Sequence, residues 1–347
     1  MTKFKMHTQS QLINFCTSVF VKLGMDEDKA KDTSEILIEA DMMGHSTHGV
    51  RLLPLYIKDI EVGNMTVNGD EETVKDTGSC LTINGNHLPG IWLTKKFLNL
   101  AAERAKIYGT STILLKNSHH NSALAAYMLP IVNQGLVPII KCSVPSSATV
   151  APFGGTKPLL TPDPMAIAYP TNKDPVIIDI SASITTNNMI ADKIVKNELF
   201  EFNCLLTAEG LPTNDPKEVQ DKNGTVMPLG GLEYGHKGFS LALGIEALSQ
   251  GLSCSGRSNK PKFMNLSTFI QVIDPEAFSG LQAFKNEMSF LTEQCLKNPP
   301  IDNNNKVRMP GQSAMRKRKK AIKEGIILSP ETNNTLSEIS KKFEIYL

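Results

Sequence analysis

Two apolar periodicities alternate along this chain, and that alternation limits its fold more than any other feature. Short continuous apolar runs stand at Thr112–Leu115, Leu136–Ile140, Met165–Pro170 and Pro175–Ser181, bounded by Pro, Gly or Asp. Such runs read as short buried strands. Around them lie segments whose apolar residues recur every three or four positions, the spacing of one helix face. Leu12, Phe15, Cys16, Val19, Phe20 and Leu23 form one stripe, with Thr8 and Gln11 set as a capping box and Gly24 as a left-handed stop. After the acidic turn at Asp26, Thr33, Ile36, Leu37 and Ala40 form a second stripe; Leu53, Tyr56, Ile57 and Ile60 form a third, with Pro54 tolerated in its first turn. Strands interleaved with helices predict an α/β architecture.

The same reading predicts a helix through Leu93, Phe97, Ala101, Ala105 and Tyr108, closed by Gly109, and a helical stretch from Ala123 to Gln134 kinked at Pro130. From Gly238 to Leu252 the residues are apolar nearly all round, which predicts a helix buried on most sides. The segment from Asn298 to Asn305 reads as a loop, and two helices close the chain: a basic one from Arg316 to Lys323, and one carrying Leu336, Ile339 and Phe343.

Composition narrows the class. The chain has 347 residues, enough for two or three domains, 41% of them hydrophobic, and a net charge of +1. That balance argues against a nucleic-acid or membrane-surface binder. The N-terminus has no apolar run, so no secretory signal is expected, and no stretch approaches the ~20 apolar residues of a membrane span. Six scattered cysteines form no C-x-x-C pair and read as reduced, mostly buried thiols of a cytoplasmic protein. The run Arg316-Lys317-Arg318-Lys319-Lys320 is either a solvated helix face or an anion-binding or nuclear-import patch. The dinucleotide-binding G-x-G-x-x-G, the Walker loop, H-E-x-x-H and G-x-S-x-G are all missing.

Four of the seven histidines fall in two clusters, His45 and His48 in GHSTHG and His119 and His120 in NSHHNS, directly after a strand. Histidine exchanges protons near neutral pH, and a loop after a strand end is a common place for it to do so. Acid/base work with substrate anchoring, a metal site, and hydrogen-bonded structural histidines are the three readings; no acidic cluster accompanies them to complete a metal site. Gly154-Gly155, Gly230-Gly231 and GHKG (235–238) with Lys237 form a second constellation. Glycines let backbone amides approach a phosphate, and a helix start favours its charge, though ordinary turns also use them. Glu246, alone on the apolar helix, is either a buried carboxylate with a tuned pKa or a structural acceptor.

Taken in order, these blocks resemble the type-2 malate/L-lactate dehydrogenase family over nearly the whole chain. GHSTHGVRLLPLY is similar to its G-x-x-SHG…RLxxY block, NSHHNSALAAY to its NS-x-H-x-G block, and VAPFGGTKPLLTPDPMAIAYPT to its APxGG…LLxTNPxAIAxPT block. IIDISAS, GGLEYGHKGFSLALGIEAL, FIQVIDPEAF and VRMPGQ follow at the expected intervals.

The resemblance implies a non-Rossmann dinucleotide-binding fold. Residues 1–72 and 285–347 would form a discontinuous helical domain, and 73–284 the α/β part that holds the dinucleotide. It implies a homodimer using NAD or NADP for reversible hydride transfer to a small 2-oxo acid, giving its 2-hydroxy acid, or to a related imine. The substrate stays open among malate, lactate, sulfolactate, ureidoglycolate, a diketo sugar acid and a cyclic imino acid. Carried over by position, His120 is the proton donor/acceptor, with a pKa expected near the working pH. Thr47 and His48 are the pair lining the substrate pocket, His48 joining His120 as a catalytic candidate. Tyr56 is the pocket tyrosine, and Arg51 the partner of the substrate carboxylate. Ser146, Gly154, Gly155, Pro164, Asp179, Ser183 and Lys237 fall near the dinucleotide.

The chain departs from the pattern in several places. Arg51 stands three residues after His48 where the family has four, with Leu52 in the expected place, a rotation of roughly 100° on a helix. Val144-Pro145, Pro162-Asp163-Pro164, Ser122 and Asn188-Met189 replace Thr-Asn, Thr-Asn-Pro, Gly and Gly-Lys, and Asp163 would repel a phosphate if it faced one. A homologue that keeps the fold and a small-molecule pocket without turnover is the alternative these departures raise.

Overall fold

A computed structural model describes residues 5–302 and 304–347. Residues 1–4, which open the stretch read above for a signal, and Asn303, inside the polar loop segment, lie outside the described residues. The chain opens with β1 (Met6–His7), α1 (Gln9–Lys22) and α2 (Glu27–Met43). Thr8 Oγ1 accepts from the Gln11 N–H at 3.2 Å while the Gln11 side chain accepts from the Thr8 N–H at 2.9 Å, the reciprocal cap expected from the sequence. Gly44 ends α2 at φ +85°, a left-handed conformation glycine adopts without strain. A 3-10 turn (Val50–Leu52) leads into α3 (Leu53–Glu61), with Pro54 in its first turn.

Next come β2 (Glu72–Asp76), β3 (Cys80–Asn84), α4 (Gly90–Tyr108) and β4 (Thr110–Ser118). The kinked helix expected over 123–134 is instead a 3-10 turn (Leu124–Tyr127) followed by the short α5 (Met128–Val132). Pro130 has no N–H and its ring excludes the carbonyl four residues back, so an α-helix starts only where Pro130 falls in its first turn.

Strands β5 (Val137–Ser143), β6 (Pro164–Tyr169) and β7 (Val176–Ser181) follow, then α6 (Asn187–Lys196), β8 (Leu205–Leu206), β9 (Pro212–Thr213), α7 (Lys217–Asp221), β10 (Thr225–Val226) and α8 (Gly231–Glu246). Then come β11 (Leu266–Ile273), α9 (Leu281–Lys297), α10 (Gln312–Glu324), β12 (Ile326–Ile327) and α11 (Pro330–Phe343). The main sheet has the order β2-β3-β4-β11-β5-β6-β7. Among the described residues only β3 and β4 pair in parallel in it, with α4 as their crossover; its other pairs are antiparallel. β11 slots between β4 and β5, with Ile270 opposite both Ile113 and Ile140. The larger core joins α1 to α4 to β3, β4, β5 and β11, and takes in Met315 of α10 and Leu336 and Ile339 of α11. Strand β1 pairs antiparallel with β12, which leads into α11. A smaller core gathers Val150, Leu160, Ala182, Leu205, Ala242 and Ile245 around the three-stranded β10-β8-β9 sheet.

Three further expectations change. The helix expected to be buried on most sides starts at Gly231, so GHKG lies inside α8 and not at its start. Its Gly235, Gly238, Ala242 and Ile245 are buried, while Leu232, Tyr234 and Leu243 on it, and Leu252 beyond it, are exposed. Apolar content records what a helix can bury, not which faces have a neighbour. Second, β7 is an edge strand, so Ile180 is 42% exposed where a buried strand was expected. Third, only half of the thiols are buried (Cys16, Cys142 and Cys204); Cys80 and Cys254 are exposed.

Candidate active site

The GHSTHG loop is shaped by a carboxylate beneath it. Asp41, near the end of α2, accepts from the Val50 N–H at 2.7 Å. The same carboxylate sits where a Cβ on residue 49 would go, so only glycine fits there. Burial raises Asp41 to about 7, opposed by the Val50 N–H. On the loop, Thr47 Oγ1 and His48 Nδ1 lie 3.0 Å apart.

The NSHHNS loop leaves β4 and packs against the start of α4, where a Cβ on Gly90 would overlap the His119 carbonyl. Ser122 holds φ +61°, the region the glycine of the resembled pattern would favour, and its hydroxyl donates to the His48 carbonyl at 2.6 Å. That bond ties the two histidine loops together. The rings of His48 and His120 lie 6.0 Å apart, 20° from parallel.

Hydrogen bonds assign the protons. The Ser122 N–H points at His120 Nδ1 from 3.3 Å, and a backbone N–H can only donate. The Tyr56 hydroxyl lies 2.7 Å from the same nitrogen. Nδ1 is therefore the acceptor, and the neutral ring carries its proton on Nε2. For His48, the Asn188 amide donates to the Thr47 carbonyl at 3.1 Å and lies 3.2 Å from His48 Nε2. That leaves Nδ1–H of His48 to donate to Thr47 Oγ1. Burial, with His48 and His119 nearby, lowers His120 to about 3; burial and His45 lower His48 to about 4. The pKa near neutrality expected for His120 is not found, because a dry site disfavours the imidazolium.

Arg51 Nη1 donates to Asp192 of α6 at 2.7 Å, and Leu52 is buried. Asp179 on β7 accepts from the Ala125 N–H at 2.8 Å; burial raises its pKa, opposed by His45 and that N–H. It lines a cavity of about 1150 Å³ with Gly44, His45, Ala125 and Gly311, ringed by the cations of Lys306, Arg308, Arg316 and Lys317. The same loop thus presents His45 to the cavity and His48 to His120. Gly311, at φ +81°, lies against β7 where a Cβ would meet the Ile177 backbone at 2.9 Å. Arg318, Lys319 and Lys320 make ion pairs with Glu39, Asp174 and Glu324, so the basic run divides between cavity and surface.

The glycine constellation assembles separately. The Gly154-Gly155 turn meets α8 where a Cβ on Gly235 would contact the Phe153 ring at 2.9 Å. Gly230 caps α8, and exposed Lys237 lies over the Tyr234 ring at 5.2 Å. Ser183 is buried and its hydroxyl donates to the Thr185 carbonyl at 2.6 Å, while Ser146 is exposed and Pro164 opens β6. Asp163 is fully buried, so it presents no charge to a surface; burial foremost, with Glu246 nearby, raises it to about 8 against its bond from Thr161. Glu246 accepts from Arg257 at 2.8 Å, the structural role of the two open to it. Among the described residues no three His, Cys, Asp or Glu side chains are grouped to share a metal ion.

Sequence reasoning missed Asp41 and Asp192, the contact Asn188 makes with His48, and the cavity role of Lys306 and Arg308. Only the glycine at 49, beside a β-branched residue at a helix start, hinted at the crowding under that loop.

Two histidine loops joined over a mixed sheet, next to a large cation-rimmed cavity, define a class of site suited to proton transfer beside an anionic ligand. The sequence model of the malate/L-lactate dehydrogenase family matches residues 7–337, and the chain belongs to that family. The malate/(S)-sulfolactate dehydrogenase of Methanothermus fervidus is 30% identical over 332 residues, covering 94% of each chain. Hydroxycarboxylate dehydrogenase B of Escherichia coli K12 is 27% identical over 91% of this chain and 88% of that one. Malate dehydrogenase of Pyrococcus horikoshii OT3 superposes with a TM-score of 0.89 at 26% identity, covering 99% of this chain and 97% of that one. The Entamoeba histolytica malate dehydrogenase reaches 0.93 at 24% identity over 99% of both chains, a likeness of fold.

Proposed function

We propose that this protein is an NAD(P)-dependent dehydrogenase interconverting a small 2-hydroxy acid and its 2-oxo acid. The observation that carries the reading is His120, held neutral with Nδ1 occupied and its proton on Nε2. The nicotinamide coenzyme, when bound, supplies or accepts the hydride. In the reduction direction Nε2–H gives its proton to the substrate oxygen. Two donors at Nδ1, the Tyr56 O–H and the Ser122 N–H, stabilise the charge left on the ring and make Nε2–H the more acidic. The ring regains its proton from solvent after reduction, and in oxidation it first releases that proton to solvent so that Nε2 can take the one from the substrate hydroxyl. His48, its proton on Nδ1, lines the pocket with Thr47, and Arg51 would exchange Asp192 for the substrate carboxylate.

The cavity fits a dinucleotide in size and charge. Lys306, Arg308, Arg316 and Lys317 would take its phosphates, and the bare backbone at Gly311 forms a cradle a side chain would fill. Ser146, Gly154, Gly155, Pro164, Asp179, Ser183 and Lys237 are the further cofactor candidates, and either NAD or NADP would serve. We place the enzyme in the cytoplasm, where its thiols stay reduced, and read it as a homodimer. The exposed Leu232, Tyr234 and Leu243 of α8 and Phe290 and Leu291 of α9 support the dimer, since exposed apolar patches mark interfaces.

Oxidation of NADH and NADPH against a panel of 2-oxo acids tests the reading. Turnover is expected with at least one acid, and His120→Ala should lose about 10²- to 10⁴-fold in kcat while keeping coenzyme affinity. No turnover across the panel with coenzyme still bound would replace the enzyme by a homologue without turnover.

A further inference from the structure

His119 is fully buried, yet no step above uses it. Its Nε2 lies 2.9 Å from Asp59 Oδ2. The hydrogen bond from His119 holds the Asp59 carboxyl below the usual range, with the Asn64 amide as a second donor at 3.2 Å. An ionised carboxylate only accepts, so Nε2 of His119 carries the proton, and the Nδ1 lone pair is buried without a partner. Asp59 and Tyr56 stand three residues apart on α3, on one face of the helix. That face grips both consecutive histidines: Asp59 holds the ring of His119, and the Tyr56 hydroxyl meets Nδ1 of His120 at 2.7 Å. The Tyr56 ring packs edge-on against His119 at 5.5 Å between centroids. The His119 peptide is pinned twice more, by its N–H to the Leu88 carbonyl at 3.1 Å and by its own carbonyl against Gly90.

A carboxylate buried to accept one imidazole N–H is weak stabilisation on its own, because desolvation offsets the attraction. Three restraints on the residue before an acid/base group serve its placement instead. We propose that Asp59 and His119 are positioning residues that fix the ring orientation and tautomer of His120 through the shared loop and through α3. The inference rests on the acid/base role given to His120 above. The titratable groups facing the pair are Tyr56 and Lys58 from α3, His87 from the loop before α4, and His120 beside His119.

Asp59→Asn keeps the shape and removes the charge, and Asp59→Glu restores the charge one carbon further out. The expected result for Asp59→Asn is a kcat lower by about 10- to 100-fold, the cost of misplacing a reacting group by about 1 Å. KM and coenzyme Kd by fluorescence titration should stay within about twofold, the acid limb of the kcat profile should move, and Asp59→Glu should recover part of the loss. Long-range proton–nitrogen NMR of the histidine rings reads the tautomer without turnover. It should show His120 protonated at Nε2 in the parent and a mixture in Asp59→Asn, with His119→Gln giving the same mixture. An unchanged His120 tautomer in both variants overturns the proposal, as does a loss of kcat, KM, coenzyme affinity and thermal stability together. A tautomer shift in a parent that turns over none of the panel would uphold the positioning pair and refute the dehydrogenase reading instead.

Discussion

Replacing Asp163 by Asn should make the protein more stable, and increasingly so as pH rises. Asp163 sits between β5 and β6 with φ +45°, fully buried, with Oδ1 accepting from the Thr161 hydroxyl at 2.6 Å and Oδ2 without a partner. Burial raises its carboxyl from the ordinary 3.8 to about 8. Below 3.8 the group is neutral in both folded and unfolded chains and costs nothing. As pH rises, the unfolded chain releases the proton and the folded one keeps it, so stability falls until about pH 8. Each unit is worth about 1.4 kcal/mol, which sums to about 2 kcal/mol at pH 5, about 4 at pH 7 and about 5 at pH 8. Asn keeps the acceptor for Thr161, tolerates the left-handed backbone and has no proton to lose. Urea unfolding followed by circular dichroism, at one protein concentration and at pH 5 and pH 8, measures the gap. The variant should gain about 3 kcal/mol more at pH 8 than at pH 5. A gain independent of pH, or a variant less stable than the parent at pH 8, would refute the assignment of a neutral buried acid.

The histidine pair drives stability the other way. His48 and His120 sit at about 4 and about 3 against the ordinary 6.5, so stability is complete above 6.5 and falls as the unfolded chain takes up protons. Against a His48→Gln/His120→Gln double variant, in which the raised carboxyls of Asp41, Asp163 and Asp179 oppose alike, the parent should lose about 4 kcal/mol more between pH 7 and pH 5; identical pH profiles in unfolding titrations would contradict it. Gly49→Ala should cost about 1–3 kcal/mol and lower kcat, because the new methyl displaces the Asp41 carboxylate and frees the His48 loop. Thermal unfolding and steady-state kinetics check this, and parent-like values in both would show that the loop gives way at no cost.

What was legible in the sequence was what neighbours along the chain decide. Thr8 and Gln11 cap α1 with contacts three residues apart, Gly24 needs only its own φ, and Leu12, Phe15 and Val19 need only a helical period. The two histidine loops were visible as candidates because residue type alone suggested proton transfer. The pairings that give them their chemistry were not visible. Asp59 meets His119 across 60 positions, Asn188 meets His48 across 140, and no local pattern records either. Burial of α8 was misjudged for the same reason: a neighbour's absence leaves no mark on the helix itself. Ser122 was read as a departure, and only its φ and its bond to His48 show how a serine does the work of the family's glycine.

The position of β11 has a consequence for how the protein is made. It is the sheet's middle strand yet emerges more than a hundred residues after β5, so the ribosome releases β2-β3-β4 and β5-β6-β7 as two half-sheets with a gap between them. The facing edges of β4 and β5 stay open until Ile273 is synthesised. Open edges recruit other strands, and pairings this distant in sequence form slowly. The nascent chain therefore passes through a long interval in which its exposed apolar edges suit a chaperone better than its own fold.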